Sequence, residues 1–120
     1  MIKLTVFVQR NPALSIDEFH AEWRAHGQMI ADEPAFRTHI RRYEQHHRTL
    51  EDYRKPLLGD GPDRAQYDGV AVQWFDSFKD FLALIQTPEY AAKMQPDEAR
   101  ILDPDGIVVL FTEEAEVFIP

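Results

Sequence analysis

The chain has 120 residues, 44% hydrophobic and 28% charged, with five histidines, no cysteine and a net charge of −8. That length buries roughly two thirds of the unfolded surface, enough for one domain over residues 1–120. The excess of acid argues against nucleic acid as a partner, no apolar run approaches the ~20 residues of a membrane helix, and the lack of cysteine removes disulfides, thiolate ligands and thiol nucleophiles, which is compatible with the cytoplasm.

Ile2 to Gln9 alternates, with Leu4, Val6 and Val8 on one side and Lys3, Thr5, Phe7 and Gln9 on the other, the period of a strand with one buried face. MIKLTVFVQRNP is also too short and too soon polar for a signal peptide. Ser15 and Glu18 form a capping box that opens a helix to Asp32. Ile16, Phe19, Trp23, Gly27 and Ile30 fall on one face of it, and His26 shares that face. Pro34 ends the helix. Phe36 to His47 alternates weakly and is read as a second strand, although RRYEQHHRTLEDY by itself also fits a helix. Lys55 to Gln66 is a turn-rich loop, with GDGPD at Gly59–Asp63 as a turn rather than a phosphate cradle. Tyr67 to Phe75 is a strand carrying Val70, Val72 and Trp74 on one face.

Ser77 and Asp80 open a second helix with Phe78, Phe81, Leu82 and Ile85 at i, i+3, i+4 and i+7. Thr87-Pro88-Glu89 starts a short helix through Tyr90, Ala91 and Met94, which Pro96 disturbs. Asp103 to Gly106 is a turn, Ile107 to Thr112 the last strand, and EEAEVFIP a tail that extends it. The sum is βαββαβ, an α+β ferredoxin-like order with a four-stranded antiparallel sheet. Two helices cover one sheet face; the bare face calls for a second copy of the same sheet, giving a homodimer closed into a dimeric α+β barrel.

Charge is uneven. Residues 37–48 hold four arginines against Glu44, a local +3 that leaves −11 for the remainder. The stretch either pairs with acidic surface elsewhere or attracts an anionic or phenolate substrate.

An imidazole on the apolar side of a helix is either a core residue with a hydrogen-bond partner or an acid–base group in a pocket, so His26 is the first candidate. On a regular strand Tyr43, Gln45 and His47 share one face while Arg42, Glu44 and His46 share the other, so only one of the two sets can reach a pocket, the rival reading being a solvated or dimer-facing polar strand. Trp23, Trp74 and Phe78 are flat groups able to wall an aromatic substrate or simply to pack the core. Asp97, in the sequence PDEA, caps a helix, pairs with an arginine or orients a histidine, with capping the default. No histidine spacing matches a metal motif, and both serines sit at caps, so neither a metal nor a nucleophilic triad is expected.

The stretches IKLTVFVQRNPALS, EFHAEWRAHG, HIRRYEQHH, YDGVAVQWFDSFKDF, DEARILD and FTEEAEVFIP, in that order over nearly the whole chain, resemble the EthD family of the dimeric α+β barrel group. The most specific element is Trp23 and His26 spaced by one helical turn. The resemblance implies the barrel fold and directs attention to His26, to Tyr43 with one of His46 and His47, and to an acidic segment at Asp97. It implies a range of chemistry: ether degradation, cofactor-free dehydration, decarboxylation or cyclisation of aromatic compounds, lactone isomerisation, and, in neighbouring families, cofactor-free or haem-linked oxygen chemistry. The resulting expectation is a cofactor-independent lyase or isomerase with a small-molecule substrate. The rivals are a non-catalytic, ligand-binding or stress-associated dimer whose pocket is filled by side chains, and a monooxygenase.

Overall fold

The structure is a computed structural model describing residues 1–60 and 66–120. Strands β1 (Ile2–Val8), β2 (Arg42–His47), β3 (Gly69–Phe75) and β4 (Val108–Thr112) form one antiparallel sheet in the order β2-β3-β1-β4. With the intervening helices on one side, this is the ferredoxin-like fold. Among the described residues no helix is long and apolar enough to cross a membrane.

Helix α1 (Ile16–Asp32) begins where the sequence places it. The Glu18 amide donates to Ser15 Oγ and the Ser15 amide to Glu18 Oε1, each at 3.1 Å, satisfying two of the helix's unpaired donors. Its buried row is Phe19, His20, Trp23, His26 and Ile30. The Phe19 and Trp23 rings stack at 5.4 Å, and Trp23 lies so close over Gly69 of β3 that any side chain there would collide with the indole. Phe19, Trp23, Val8, Ala71, Ile101 and Leu102 pack together, and Ile2, Leu4, Ile30, Phe36, Phe75, Leu84 and Met94 form a second cluster. Truncating a ring as buried as Phe19 or Phe36 costs about 3–5 kcal/mol.

Several local readings are corrected. The second strand starts only at Arg42: Pro34, at the first helical position, opens a new short helix α2 (Pro34–Arg37) and carries Phe36 into the core. A short helix α3 (Lys55–Leu58) interrupts the loop and ends at Gly59, whose φ of 65° suits glycine. Residues 61–63 of the turn read at Gly59–Asp63 lie outside the described residues. Helix α4 (Phe78–Ile85) turns Phe81, Leu84 and Ile85 inward and leaves Phe78 and Leu82 exposed, so its buried stripe is displaced from the one the spacing suggests. Pro96 starts a helix instead of disturbing one. A π-helical turn at Tyr90–Met94, closed by Gln95 N–H donating to the Tyr90 carbonyl, feeds directly into α5 (Gln95–Ile101). Proline has no N–H, so the switch of hydrogen-bond register next to it loses no donor. The tail after Thr112 does not extend β4, and Val117, Phe118 and Ile119 stand exposed.

Register decides what each sheet face carries. Tyr43 pairs Gln73, Gln45 pairs Ala71 and His47 pairs Gly69, so these side chains share the helix-covered face with Leu4, Val6 and Val8. Arg42, Glu44 and His46 pair Trp74, Val72 and Val70 on the opposite face, joined by Lys3, Thr5, Phe7, Val108 and Leu110.

Candidate active site

Between the inner sheet face and the helices is a cavity of ≈ 230 Å³. At about 30 Å³ per water this is room for seven or eight waters, roughly the bulk of one or two rings. Its walls are mostly hydrocarbon: Leu4, Val6 and Val8 from β1, Val109 and Phe111 from β4, Phe81, Leu84 and Ile85 from α4, and Trp23 and Ile30 from α1. The polar residues along its wall are His26, Tyr43, Gln73, Tyr90 and Glu98. Apolar walls with a few convergent polar groups are the form of a small-molecule site.

His26 is buried at 5% exposure, and its Nδ1–H donates to Asp97 Oδ2 over 3.1 Å. A carboxylate only accepts, so Nδ1 carries the proton and Nε2 keeps its lone pair. Nε2 has no protein partner among the described residues. Burial holds the imidazole below its ordinary 6.5, outweighing the Asp97 hydrogen bond and charge, so the ring is neutral at pH 7 and able to accept a proton. Asp97 is held in turn by Arg100, whose Nη2 lies 3.3 Å from Oδ1 and whose Nη1 donates to Glu22 at 2.8 Å. Asp97 therefore orients a histidine, and the capping default is corrected: it lies in the first turn of α5, beyond the cap position, with its carboxylate turned to the imidazole.

Tyr43 stands across the fold on β2. Burial pushes its phenol up to about 12, so it stays protonated and keeps a hydrogen to donate at any physiological pH. Glu98, one residue beyond Asp97, brings a half-buried carboxyl to the cavity; burial, then the Asp97 charge, raises it to about 7. Its charge raises the Tyr43 and Tyr90 phenols as well, though less than burial does.

The remaining candidates separate. His47 points inward and His46 outward, where Nε2 meets Glu44 Oε1 at 2.9 Å, so His46 is not a cavity residue. His47 stands behind Tyr43, against Trp23 (ring centroids 4.7 Å), rather than in the cavity wall. Trp74 is on the wrong side of the sheet, flanked by Lys3 and Arg42 at 5.8 and 5.5 Å. Phe78 meets Phe111 edge-on at the rim, and Phe81, one turn on, takes the wall position. Trp23 lines the cavity and packs the core at once. The arginine stretch is largely spent in pairs within the chain: Arg41 with Asp76, Arg42 with Glu44, Arg48 with Asp68. Among the described residues no group of three or more metal-ligating side chains converges.

Glu98, Gln73 and Tyr90 are cavity residues that the sequence reading passed over. Gln73 had a legible signal, a lone amide among small and apolar residues on the inner face of β3. Glu98 did not, because an acid in PDEA looks solvated until the helix is placed.

A model of the EthD domain matches residues 11–105. Among curated proteins there is no match. Solved structures with the same fold include an EthD-family protein of Bacillus halodurans (13% identity, TM-score 0.63, covering 96% of this chain and 99% of that one). They also include a dimeric ferredoxin-like protein of unknown function from Bacteroides fragilis (16%, 0.66, 94% and 95%) and SnoaB, a cofactor-independent oxygenase of Streptomyces nogalater (8%, 0.63, 98% and 95%). At these identities the likeness establishes the fold alone.

Proposed function

The chain belongs to the EthD-domain family, and on that premise we propose that it is a small cofactor-independent enzyme that moves a proton beside a carbonyl of an apolar, cyclic or aromatic oxygenated compound. One observation carries the reading: a neutral imidazole, fixed in tautomer by Asp97, sits at the wall of an apolar cavity that also holds a protonated phenol. His26 Nε2 takes the proton from carbon. The C–H electron pair moves to the carbonyl oxygen, and the Tyr43 hydroxyl stabilises the enolate by hydrogen bonding.

From that enolate, reprotonation at another carbon is isomerisation. Expulsion of a β-hydroxyl as water, with a proton from Glu98 or the His26 imidazolium, is dehydration. Attack on a second carbonyl is ring closure, and decarboxylation reaches the same enolate by loss of CO2. The cavity volume favours this reading over a barrel filled by side chains.

The partner we propose is a second copy of the chain. The outer sheet face presents Phe7, Val70, Val72, Val108 and Leu110, with Val108 and Leu110 about half exposed in the isolated chain, as a face covered by another sheet would. The likeness to SnoaB motivates a second reading, in which the carbanion formed by His26 reacts with dioxygen.

The test uses 2-tetralone, a bicyclic ketone with acidic hydrogens at C1. The protein should accelerate exchange of those hydrogens for deuterium in D2O, followed by proton NMR, and His26→Ala should lose about 10²–10⁴-fold of the acceleration. An unchanged rate in His26→Ala refutes the role of the imidazole. Oxygen uptake with a dihydroxynaphthalene probe, lost in the same variant, would select the oxygenase reading.

A further inference from the structure

Behind Tyr43 lies a hydrogen-bonded row in which each group determines the next. Gln45 Nε2 lies 2.6 Å from the Trp23 carbonyl oxygen and 2.9 Å from the Tyr43 hydroxyl. A backbone carbonyl only accepts, so the nitrogen end of the amide faces Trp23 and the oxygen end faces His47, whose Nε2 lies 3.0 Å from Oε1. An amide oxygen only accepts, so His47 Nε2 carries a proton. Burial, then His20 and Arg24, lowers His47 to about 4, so the ring is neutral and its Nδ1 is an acceptor. His20 Nδ1, 2.5 Å away, is therefore the protonated donor. At the other end both amide hydrogens are committed, one to Trp23 and one to the Tyr43 oxygen. The phenol has received its hydrogen bond, and its own hydrogen is left to the cavity that Tyr43 lines.

The helix leaves room for this arrangement. A Cβ at Gly27 would lie 2.7 Å from Gln45 Nε2 and 3.4 Å from Tyr43 Cε1, so a glycine in the middle of α1, poor as a helix former, is what lets the amide reach the Trp23 carbonyl.

We propose that Gln45, held by the His47–His20 pair and admitted by Gly27, is a positioning residue that turns the Tyr43 hydroxyl hydrogen toward a bound ligand's oxygen. The inference rests on the proposed use of Tyr43 as a donor to a carbonyl. It adds a requirement: the ligand atom at Tyr43 must accept a hydrogen bond, as the oxygen of a carbonyl or an enolate does, and a ligand that presents only N–H or C–H there is refused.

The experiment binds 2-tetralone, labelled with carbon-13 at its carbonyl, to the full chain at pH 7.5. A donated hydrogen bond moves that carbon downfield. The wild type should show the downfield shift, and Tyr43→Phe should lose it. Gln45→Glu keeps the side-chain size but presents an acceptor to the phenol. The Tyr43 hydrogen should swing to it, abolishing the shift and weakening binding about five- to tenfold. In the Tyr43→Phe background Gln45→Glu should add nothing. Gly27→Ala, which displaces the amide from the helix side, should act like Gln45→Glu.

Nitrogen-15 spectra of the imidazoles read the row without any ligand: Nε2–H on His47 and Nδ1–H on His20. The opposite tautomers, or a full carbonyl shift retained in Gln45→Glu, overturns the proposal. Correct tautomers with no carbonyl shift in the wild type overturn the proposed function instead and leave the order of the row standing.

Discussion

Replacing Glu98 by glutamine should make the protein more stable in alkali and leave it unchanged in acid. The carboxyl titrates at about 7 in the folded protein against 4.5 ordinarily, because burial disfavours the charged form. For an acid raised on folding, the stability it permits is fully present below 4.5 and is lost as pH climbs through 7, where the folded chain must hold a charge it would shed. The interval corresponds to at most about 3.5 kcal/mol at roughly 1.4 kcal/mol per unit. Water reaching the half-buried carboxyl reduces this to about 1–2 kcal/mol. Glutamine preserves size and polarity without the charge, so Glu98→Gln should gain that amount at pH 8.5 and nothing measurable at pH 4. Urea unfolding at the two pH values, with the slope m checked for constancy, reads the difference directly. An equal effect at both values, or a variant less stable at pH 8.5, refutes the claim that Glu98 is an unwillingly buried charge.

Three further outcomes follow from other residues. Asp97→Asn removes a charged acceptor worth about 1.5–3 kcal/mol in such bonds; because Asp97 is part-exposed, the lower end applies, and an NMR titration should find His26 lower still. An unshifted His26 would show that the dyad carries no weight. His20, His26 and His47 are all depressed on folding, so their stabilising neutrality is complete above 6.5 and is lost as pH falls through their folded values, for His47 about 4. His47→Gln should therefore flatten the acid limb of the stability profile between 6.5 and 4, and an unchanged limb would refute this. Leu110→Glu, on the outer sheet face, should convert a dimer to a monomer by light scattering while leaving the fold intact by circular dichroism, and a dimer that survives the charge contradicts pairing through that face.

The fold was legible wherever apolar spacing and capping agreed. Ser15–Glu18 with the Phe19, Trp23, Ile30 row could hardly be anything but a buried helix, and the alternation in β1 and β3 was equally plain. Residues 36–41 were misread because a run of six polar and apolar residues alternates by chance, whereas the physical determinants, a proline at a first helical position and one buried Phe36, are single residues.

The site was half legible. His26 could be put on the inner face from helical geometry alone. The choice between His46 and His47 needed the register with Gly69, and Trp74 was misjudged for an instructive reason. The outer face of β3 (Val70, Val72, Trp74) is more hydrophobic than the inner one (Gly69, Ala71, Gln73, Phe75), so hydrophobicity pointed to the wrong side of the sheet. Glu98 became visible, and histidine orientation was selected among the roles open to Asp97, only when α5 was seen to begin at the π-helical turn.

The close approach at Gly27 has an evolutionary corollary. One absent methyl group admits the Gln45 amide, so the two positions should change together. A descendant that acquires alanine at 27 must shorten or abandon glutamine at 45. Then the histidine pair behind it loses its purpose and drifts. Lineages that diverged in this way should reveal themselves by losing all four residues together, while the dyad on α1 and α5 persists.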